Sequence, residues 1–101
     1  MSPHKNFIII QKNIEHDTYD IATYTTLLLD ENENLLEKIR TKNQDDMLNA
    51  VASFERKYNL HDETTIEVTI NYTNGERFVY HKFMYEFMHD FIIYNSKNKK
   101  H

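Results

Sequence analysis

The residues of this chain that could do chemistry are its carboxylates, its six histidines and a few serines. Glu86 and His89 lie three positions apart in a helical pattern, which is the spacing of a Glu-x-x-His metal pair in a di-metal helix bundle. Such a bundle needs a second helix with a similar pair, and the other helical segment has none. The histidines show no paired zinc-ligand spacing and cysteine is absent, so we expect no metal and no cofactor.

Catalysis by an acid and a base has weak support in the sequence. His16–Asp17 and His61–Asp62 are adjacent pairs in loop-like segments, and no positioned nucleophile accompanies either pair. The serines lack a nucleophile-elbow context. A glycine-rich phosphate loop is excluded because the chain contains one glycine. We therefore expect a protein that is not an enzyme.

Composition and charge narrow the class of protein. The chain has 101 residues, 40% of them hydrophobic, which predicts one α+β domain over residues 1–96 and a basic, disordered tail over residues 97–101. The net charge of -4 opposes nonspecific attraction to nucleic acid or anionic lipid and favours protein partners. The apolar run Phe7–Ile10 is too short for a signal core or a membrane span, so a cytoplasmic location is expected.

The elements that must position any site follow a repeated pattern, a β-hairpin and then an amphipathic helix. The first hairpin runs over 23–40 and the second over 65–82, and Phe7–Ile10 reads as a strand before them. This order, β(β-β-α)(β-β-α), predicts an α+β fold in which two helices cover an antiparallel sheet of four to five strands.

The first helix has clear boundaries in the sequence. Asn43 is a good N-cap, and acidic residues follow it where the helix dipole favours them. A buried stripe runs from Met47 to Tyr58, and Asn59 can adopt the left-handed cap conformation. The helix is therefore expected to end at Tyr58 or Asn59.

The turns of the two hairpins also carry signals. Asn74–Gly75 fits a two-residue type I′ turn, which pairs Ile70 with Val79 and places Phe78 and Tyr80 on the outer face of the sheet. These two aromatic residues are then covered within the molecule or exposed to a partner. In the first hairpin, the left-handed residue is expected to be one of the two asparagines, Asn32 or Asn34.

Two surfaces are candidates for binding a protein. The last helix is apolar over roughly half of its circumference, more than a helix on a sheet requires. Met84, Met88 and Ile92 either join a broad contact with sheet and neighbouring helix or border a partner or homodimer surface. The acidic first turn, with Asp30, Glu31 and Glu33, either is a solvated surface or competes with nucleic acid for a basic groove on a partner.

Part of the chain resembles ribonuclease H-like proteins. The stretch 23–58, with its polar turn and with Asp45 and Asp46 opening a helix, is similar to the hairpin and first helix of that family. The resemblance implies metal binding at Asp46, since family members carry an acidic residue near this helix start. They also carry a metal-binding aspartate on the first strand, whereas Phe7–Lys12 contains no acid. A hairpin follows Leu60 where the family alternates strand and helix, so the chain is not identified as a member.

The sequence thus favours a small non-enzymatic protein-binding module that acts by occluding its partner. A phage- or plasmid-encoded inhibitor, anti-defence or anti-CRISPR-like, or an accessory protein fits this description. The bias toward Asn, Ile, Lys and Tyr suits the AT-rich genome of a mobile element. The alternative is a nucleic-acid-binding module that uses Phe78 and Tyr80 with Lys82 and the basic tail.

Overall fold

The computed structural model of the chain describes residues 6–14 and 22–90. They form an α+β domain in which two helices lie on one face of a five-stranded mixed sheet. The elements are β1 (Phe7–Ile14), β2 (Ala22–Leu29), β3 (Leu35–Thr41), α1 (Gln44–Tyr58), β4 (Thr65–Asn71), β5 (Arg77–Phe83) and α2, of which residues 84–90 are described. No helix in this part of the chain is long and apolar enough to cross a membrane.

The strands lie in the order β3-β2-β1-β4-β5. The five strands, the two helices and their order along the chain are confirmed, but a wholly antiparallel sheet is wrong. β1 pairs antiparallel with β2 and parallel with β4. Two parallel strands need a long crossover connection, and here the first hairpin and α1 provide it. The apolar run Phe7–Ile10 suits this central position, because a strand with a parallel neighbour is commonly buried on both faces.

The core lies between the sheet and the two helices. Ile8, Leu28 and Ile66 on the sheet and Phe54 on α1 are fully buried. Burying a side chain of this size contributes about 1.5–3 kcal/mol, so these contacts supply much of the stability of the domain. Further core residues on the helices and the adjoining loop are Met47, Leu48, Val51, Leu60, Met84 and Phe87.

The predicted boundaries of α1 are confirmed. The side chain of Asn43 accepts a hydrogen bond from the backbone N–H of Asp46 at 2.8 Å, as an N-cap does. Asn59 ends the helix in the left-handed conformation with a φ of 52°. Leu60 then folds back into the core, which fixes the direction in which the chain leaves the helix.

The second hairpin differs from its prediction by one residue. Its loop has three residues rather than two, because Tyr72 N–H donates to the Glu76 carbonyl and Gly75 N–H donates to the Tyr72 carbonyl. Only Gly75, with a φ of 92°, is left-handed there, so the loop is not type I′. It matches the three-residue class built from a type I turn and a left-handed residue.

This extra loop residue moves the side chains of β5 to the opposite faces of the sheet. Ile70 pairs with Phe78 and Thr69 with Val79, so the expected pairing of Ile70 with Val79 is wrong. Phe78 and Tyr80 lie on the face that carries the helices, which also corrects their expected position on the outer face.

The first hairpin has the same loop geometry. Asp30 N–H donates to the Asn34 carbonyl, and Glu33 N–H donates to the Asp30 carbonyl. Glu33 is the left-handed residue, with a φ of 66°, so the expectation of Asn32 or Asn34 at that position is wrong. The asparagines instead donate hydrogen bonds to the side chain of Asp30.

Candidate functional site

β5 is one of the two edge strands of the sheet. Hydrogen-bonded and non-bonded residue pairs alternate along an antiparallel ladder. Because Tyr72 is bonded to Glu76 at one end and Met84 to Thr64 at the other, every second residue of β5 is bonded to β4. The remaining residues point their backbone N–H and C=O groups away from the sheet, and they are Arg77, Val79, His81 and Phe83.

Large apolar side chains are exposed along this edge. The exposed fraction is 54% for Phe78, 45% for Val79, 43% for Phe83 and 52% for Tyr85, the second residue of α2. The rings of Phe83 and Tyr85 are stacked, with centroids 5.8 Å apart. We call Phe78, Val79, Phe83 and Tyr85, together with the outward backbone groups of β5, the β5 edge.

Polar contacts hold the β5 edge in position. His81 Nε2 lies 3.2 Å from Glu67 Oε1 on the neighbouring strand. The backbone N–H of Phe83 donates to Glu86 Oε1 at 3.0 Å, which caps the start of α2 in the manner of a capping box. The first amides of α2 also donate to carbonyls of the loop before β4. The edge is therefore anchored at its C-terminal end.

The two methionines of α2 face the core of the domain. Met84 has no exposed surface, so it is not available to a partner in this structure. Met88 is partly buried and packs against the core. Ile92 lies outside the described residues. In the part of α2 that the structure describes, Met84 and Met88 therefore lie toward the core.

The residues proposed to stack on bases do not share an open platform. Tyr80 is half-buried on the helix face, and burial raises the pKa of its hydroxyl. Lys82 forms an ion pair with Asp90 of α2. Phe78 lies at the edge of the helix face, and the centroid of its ring is 5.7 Å from that of Tyr80. The basic tail lies outside the described residues.

The acidic turn uses one of its carboxylates for its own structure. Asp30 accepts hydrogen bonds from the backbone N–H groups of Asn32 at 2.8 Å and Asn34 at 2.9 Å. The bond from Asn34 is the main reason that the pKa of Asp30 lies below its ordinary value. Glu31 and Glu33 are exposed. The turn borders a shallow cleft of about 650 Å³ whose apolar residues are Phe7, Ile9 and Leu29.

The residues considered as metal ligands either take part in helix capping or do not lie in a group with other potential ligands. Within residues 6–14 and 22–90, no group of three or more His, Asp and Glu side chains is placed to hold a metal ion. Asp46 accepts a hydrogen bond from the Asn43 side-chain amide at 3.1 Å, and Glu86 caps α2. His89 is exposed. His16–Asp17 lies outside the described residues.

Sequence reasoning missed most of the β5 edge. Val79, Phe83 and Tyr85 are not among the residues predicted from the sequence. The signal that could have found them is that each strand of a hairpin either lies at an edge of the sheet or pairs with a third strand. The loop length decides which side chains face the helices, and a two-residue loop places the side chains of β5 on the wrong faces.

Comparisons of the chain with protein-family models, curated proteins and solved structures find no match.

Proposed function

We propose that this protein is a non-enzymatic binding module that adds a strand from a partner protein to its β5 edge. The partner segment lies extended along β5. Binding thereby occludes that segment of the partner, which is how an inhibitor or an accessory protein can act. The observation that carries the proposal is a regular edge strand with exposed aromatic and apolar side chains on both faces.

Edge strands of soluble proteins are normally protected from pairing with other chains. Proline, bulges, short length and charged side chains are the usual devices. Of these, β5 has only charged side chains, Arg77, His81 and Lys82, and Lys82 is paired with Asp90 of α2. β5 has seven residues, no proline and no break in its register with β4. The outward N–H groups of Arg77, Val79 and His81 and the outward C=O groups can form main-chain hydrogen bonds with an added strand, whereas the N–H of Phe83 is bonded to Glu86. The exposed side chains of β5 can select that strand by shape.

Charge defines the kind of segment that fits. β5 contains Arg77, His81 and Lys82 and no carboxylate. A complementary partner strand therefore alternates apolar residues with acidic ones, because like charges directly opposite each other in a sheet are unfavourable. The acidic turn lies on the other hairpin, at the opposite edge of the sheet from β5.

Two proline variants test the proposal. Val79 points its N–H away from β4, so Val79→Pro removes a hydrogen bond to an added strand and no bond to β4. Tyr80 is bonded to β4, so Tyr80→Pro breaks the sheet itself. We expect Val79→Pro to fold, by circular dichroism and urea unfolding, and Tyr80→Pro to be clearly less stable than Val79→Pro, because it loses a hydrogen bond of the β4–β5 ladder.

The binding measurement is a quantitative comparison of proteins captured from host-cell lysate by the native chain and by Val79→Pro. We expect a partner that the native chain captures and that Val79→Pro loses at least tenfold. With this partner bound, hydrogen exchange at the amides of Arg77, Val79 and His81 should slow, because these amides become bonded.

A second matched variant addresses the competing surface. Glu31→Lys together with Glu33→Lys reverses the charge of the acidic turn and leaves β5 unchanged. Capture that survives Val79→Pro but is lost in this double variant would overturn the proposal and assign binding to the acidic turn. Unchanged hydrogen exchange along β5 in the complex would overturn it as well.

A further inference from the structure

A second site lies on the helix face, in the gap between the two helices. α1 packs over β2 and β3, and α2 follows directly from β5, so the middle of the sheet is left open between them. The gap is a cleft of about 330 Å³, which is at the lower end of the volumes of small-molecule sites. None of the side chains of the β5 edge lines it, so it is a different site from the β5 edge.

The floor of this helix cleft is apolar. Ile10 of β1, Val68 of β4, Met47 of α1 and Phe87 of α2 line it, and each of them is at most 9% exposed. Because little of their own surface is exposed, a ligand that covers this floor gains mainly by removing its own apolar surface from water, and each square ångström so buried contributes roughly 25 cal/mol. The floor therefore favours a ligand with an apolar body.

The rim of the helix cleft carries hydrogen-bond donors and one cation that has no ion-pair partner within residues 6–14 and 22–90. Its polar residues are Lys12, Tyr24, Gln44, Tyr80, Lys82 and Asp90. Lys82 is ion-paired with Asp90, so these two charges offset each other. The ammonium group of Lys12 lies 5.7 Å from the centre of the Tyr24 ring. No carboxylate of the described residues forms an ion pair with Lys12.

We propose that the helix cleft binds a small molecule that has an apolar body and a single anionic group. The anion lies against Lys12, and the body covers the floor between the helices. A single charge fits because, among the described residues, Lys12 is the one cation of the rim without an ion-pair partner, so a second anionic group would meet no unpaired cation there. The partly buried Lys12 binds an anionic group more strongly than an exposed lysine does, because the apolar floor weakens the screening of the charges by solvent.

Two dyes with the same body serve as the probes. The first is 8-anilinonaphthalene-1-sulfonate, which is anionic, and the second is N-phenyl-1-naphthylamine, which lacks the sulfonate. In a fluorescence titration, we expect the native protein to bind one molecule of the anionic dye per chain and to bind the neutral dye about tenfold more weakly. That ratio corresponds to about 1.4 kcal/mol for the anion.

Three variants locate the dye. Lys12→Gln should weaken the anionic dye about tenfold, to the level of the neutral one, and leave the neutral dye unchanged. Lys38→Gln, at an exposed lysine of β3, should change neither. Ile70 lines the cleft and is only partly buried, so Ile70→Trp should fill the space and abolish binding of both dyes. Circular dichroism and urea unfolding confirm that each variant is folded.

Each opposite outcome overturns the proposal. Equal affinity of the native protein for the two dyes, or unchanged affinity of Lys12→Gln for the anionic dye, shows that Lys12 does not recognise an anion. Binding that persists in a folded Ile70→Trp variant places the dye on another surface. If Ile70→Trp does not fold, the comparison of the two dyes on Lys12→Gln still decides the question. No binding of either dye to the native protein refutes the site.

Discussion

The two hairpins of the sheet share one loop geometry and differ in the residue that adopts its left-handed conformation. In each loop the fourth residue of the turn donates its N–H to the carbonyl of the first, at 3.0 Å from Glu33 to Asp30 and at 3.1 Å from Gly75 to Tyr72. Glycine adopts a positive φ at little cost, whereas glutamate does not. The comparison shows that loop length sets the register here and that the side chains adapt to it.

The outer strands of the two hairpins differ more than the loops do. β3 is interrupted by a bulge beside Leu28 and Leu29, and its Glu37 is bonded to Lys57 and Tyr58 of α1. These features bend the strand and tie it to the helix, as in a protected edge. β3 also exposes apolar side chains, Leu35 and Leu36, but β5 is regular and exposes the larger ring of Phe78 together with Val79 and Phe83. The difference supports β5, rather than β3, as the edge to which a partner strand is added.

The largest expected effect tests whether both helices, α1 after the first hairpin and α2 after the second, pack into the shared core. Phe54 of α1 is fully buried, and Phe87 of α2 is 9% exposed. Phe54→Ala and Phe87→Ala should each lower the free energy of unfolding by about 3–5 kcal/mol, because each leaves a cavity in the shared core. Urea unfolding at equilibrium measures both. A loss below about 1 kcal/mol at Phe87 alone would show that α2 is not part of the core.

The parts of this fold that could be predicted from sequence are those set by local chemistry. The caps Asn43 and Asn59 satisfy backbone groups within one turn of α1, so residue type alone identifies them. The parallel pairing of β1 with β4 depends on contacts far apart in the chain. An apolar run such as Phe7–Ile10 is compatible with either strand direction.

The candidate sites were harder to predict for a related reason. One extra loop residue at the second hairpin exchanges the faces of Phe78 and Val79, and an Asn-Gly pair alone does not specify the loop length. The helix cleft combines Lys12 with residues of α1 and α2. No spacing in the sequence brings these residues together, because their proximity results from the strand order.

The second effect concerns the left-handed position of the second hairpin. Gly75→Ala should lower the free energy of unfolding by about 1 kcal/mol, because an alanine side chain strains the backbone at a positive φ. An added Cβ meets no atom within 4 Å, so the loss arises from backbone strain and not from a clash. Thermal and urea unfolding measure it, and unchanged stability would contradict the left-handed geometry of this loop.

The third effect is the reverse change in the first hairpin. Glu33→Gly should raise the free energy of unfolding by roughly 0.5–1 kcal/mol, because glycine relieves the strain of a positive φ, although its greater freedom in the unfolded chain reduces the gain. Glu31→Gly is the matched control, since Glu31 does not have a positive φ; it should not be stabilising. If both variants lose stability, the two loops do not share one geometry.

The smallest effect is a pH dependence that belongs to the first hairpin. Hydrogen bonds, chiefly from the backbone N–H of Asn34, hold the pKa of Asp30 below its ordinary value of 3.8. A carboxyl group whose pKa is lower in the folded state stabilises the fold above its unfolded pKa, and this stabilisation is lost as the pH falls through the folded pKa. Asp30→Asn keeps a side-chain oxygen that accepts hydrogen bonds but cannot titrate. Its urea midpoint should therefore fall less than that of the native protein on acidification from pH 5 to about pH 3.

The matched control for Asp30→Asn is Glu31→Gln, which removes a negative charge from the same turn and leaves Asp30 Oδ1, the oxygen that accepts from the backbone N–H groups of Asn32 and Asn34. Glu37 is a second source of acid sensitivity in this hairpin, because the hydrogen bond and charge of Lys57 lower its pKa. Some loss of stability at low pH should therefore remain in Asp30→Asn, and adding Glu37→Gln should reduce it further. Equal responses of Asp30→Asn and Glu31→Gln would mean that the turn senses net charge alone. In that case the hydrogen bonds of the Asp30 carboxylate would not be what stabilises the geometry of the first loop, which is the geometry that the second loop adopts with Gly75.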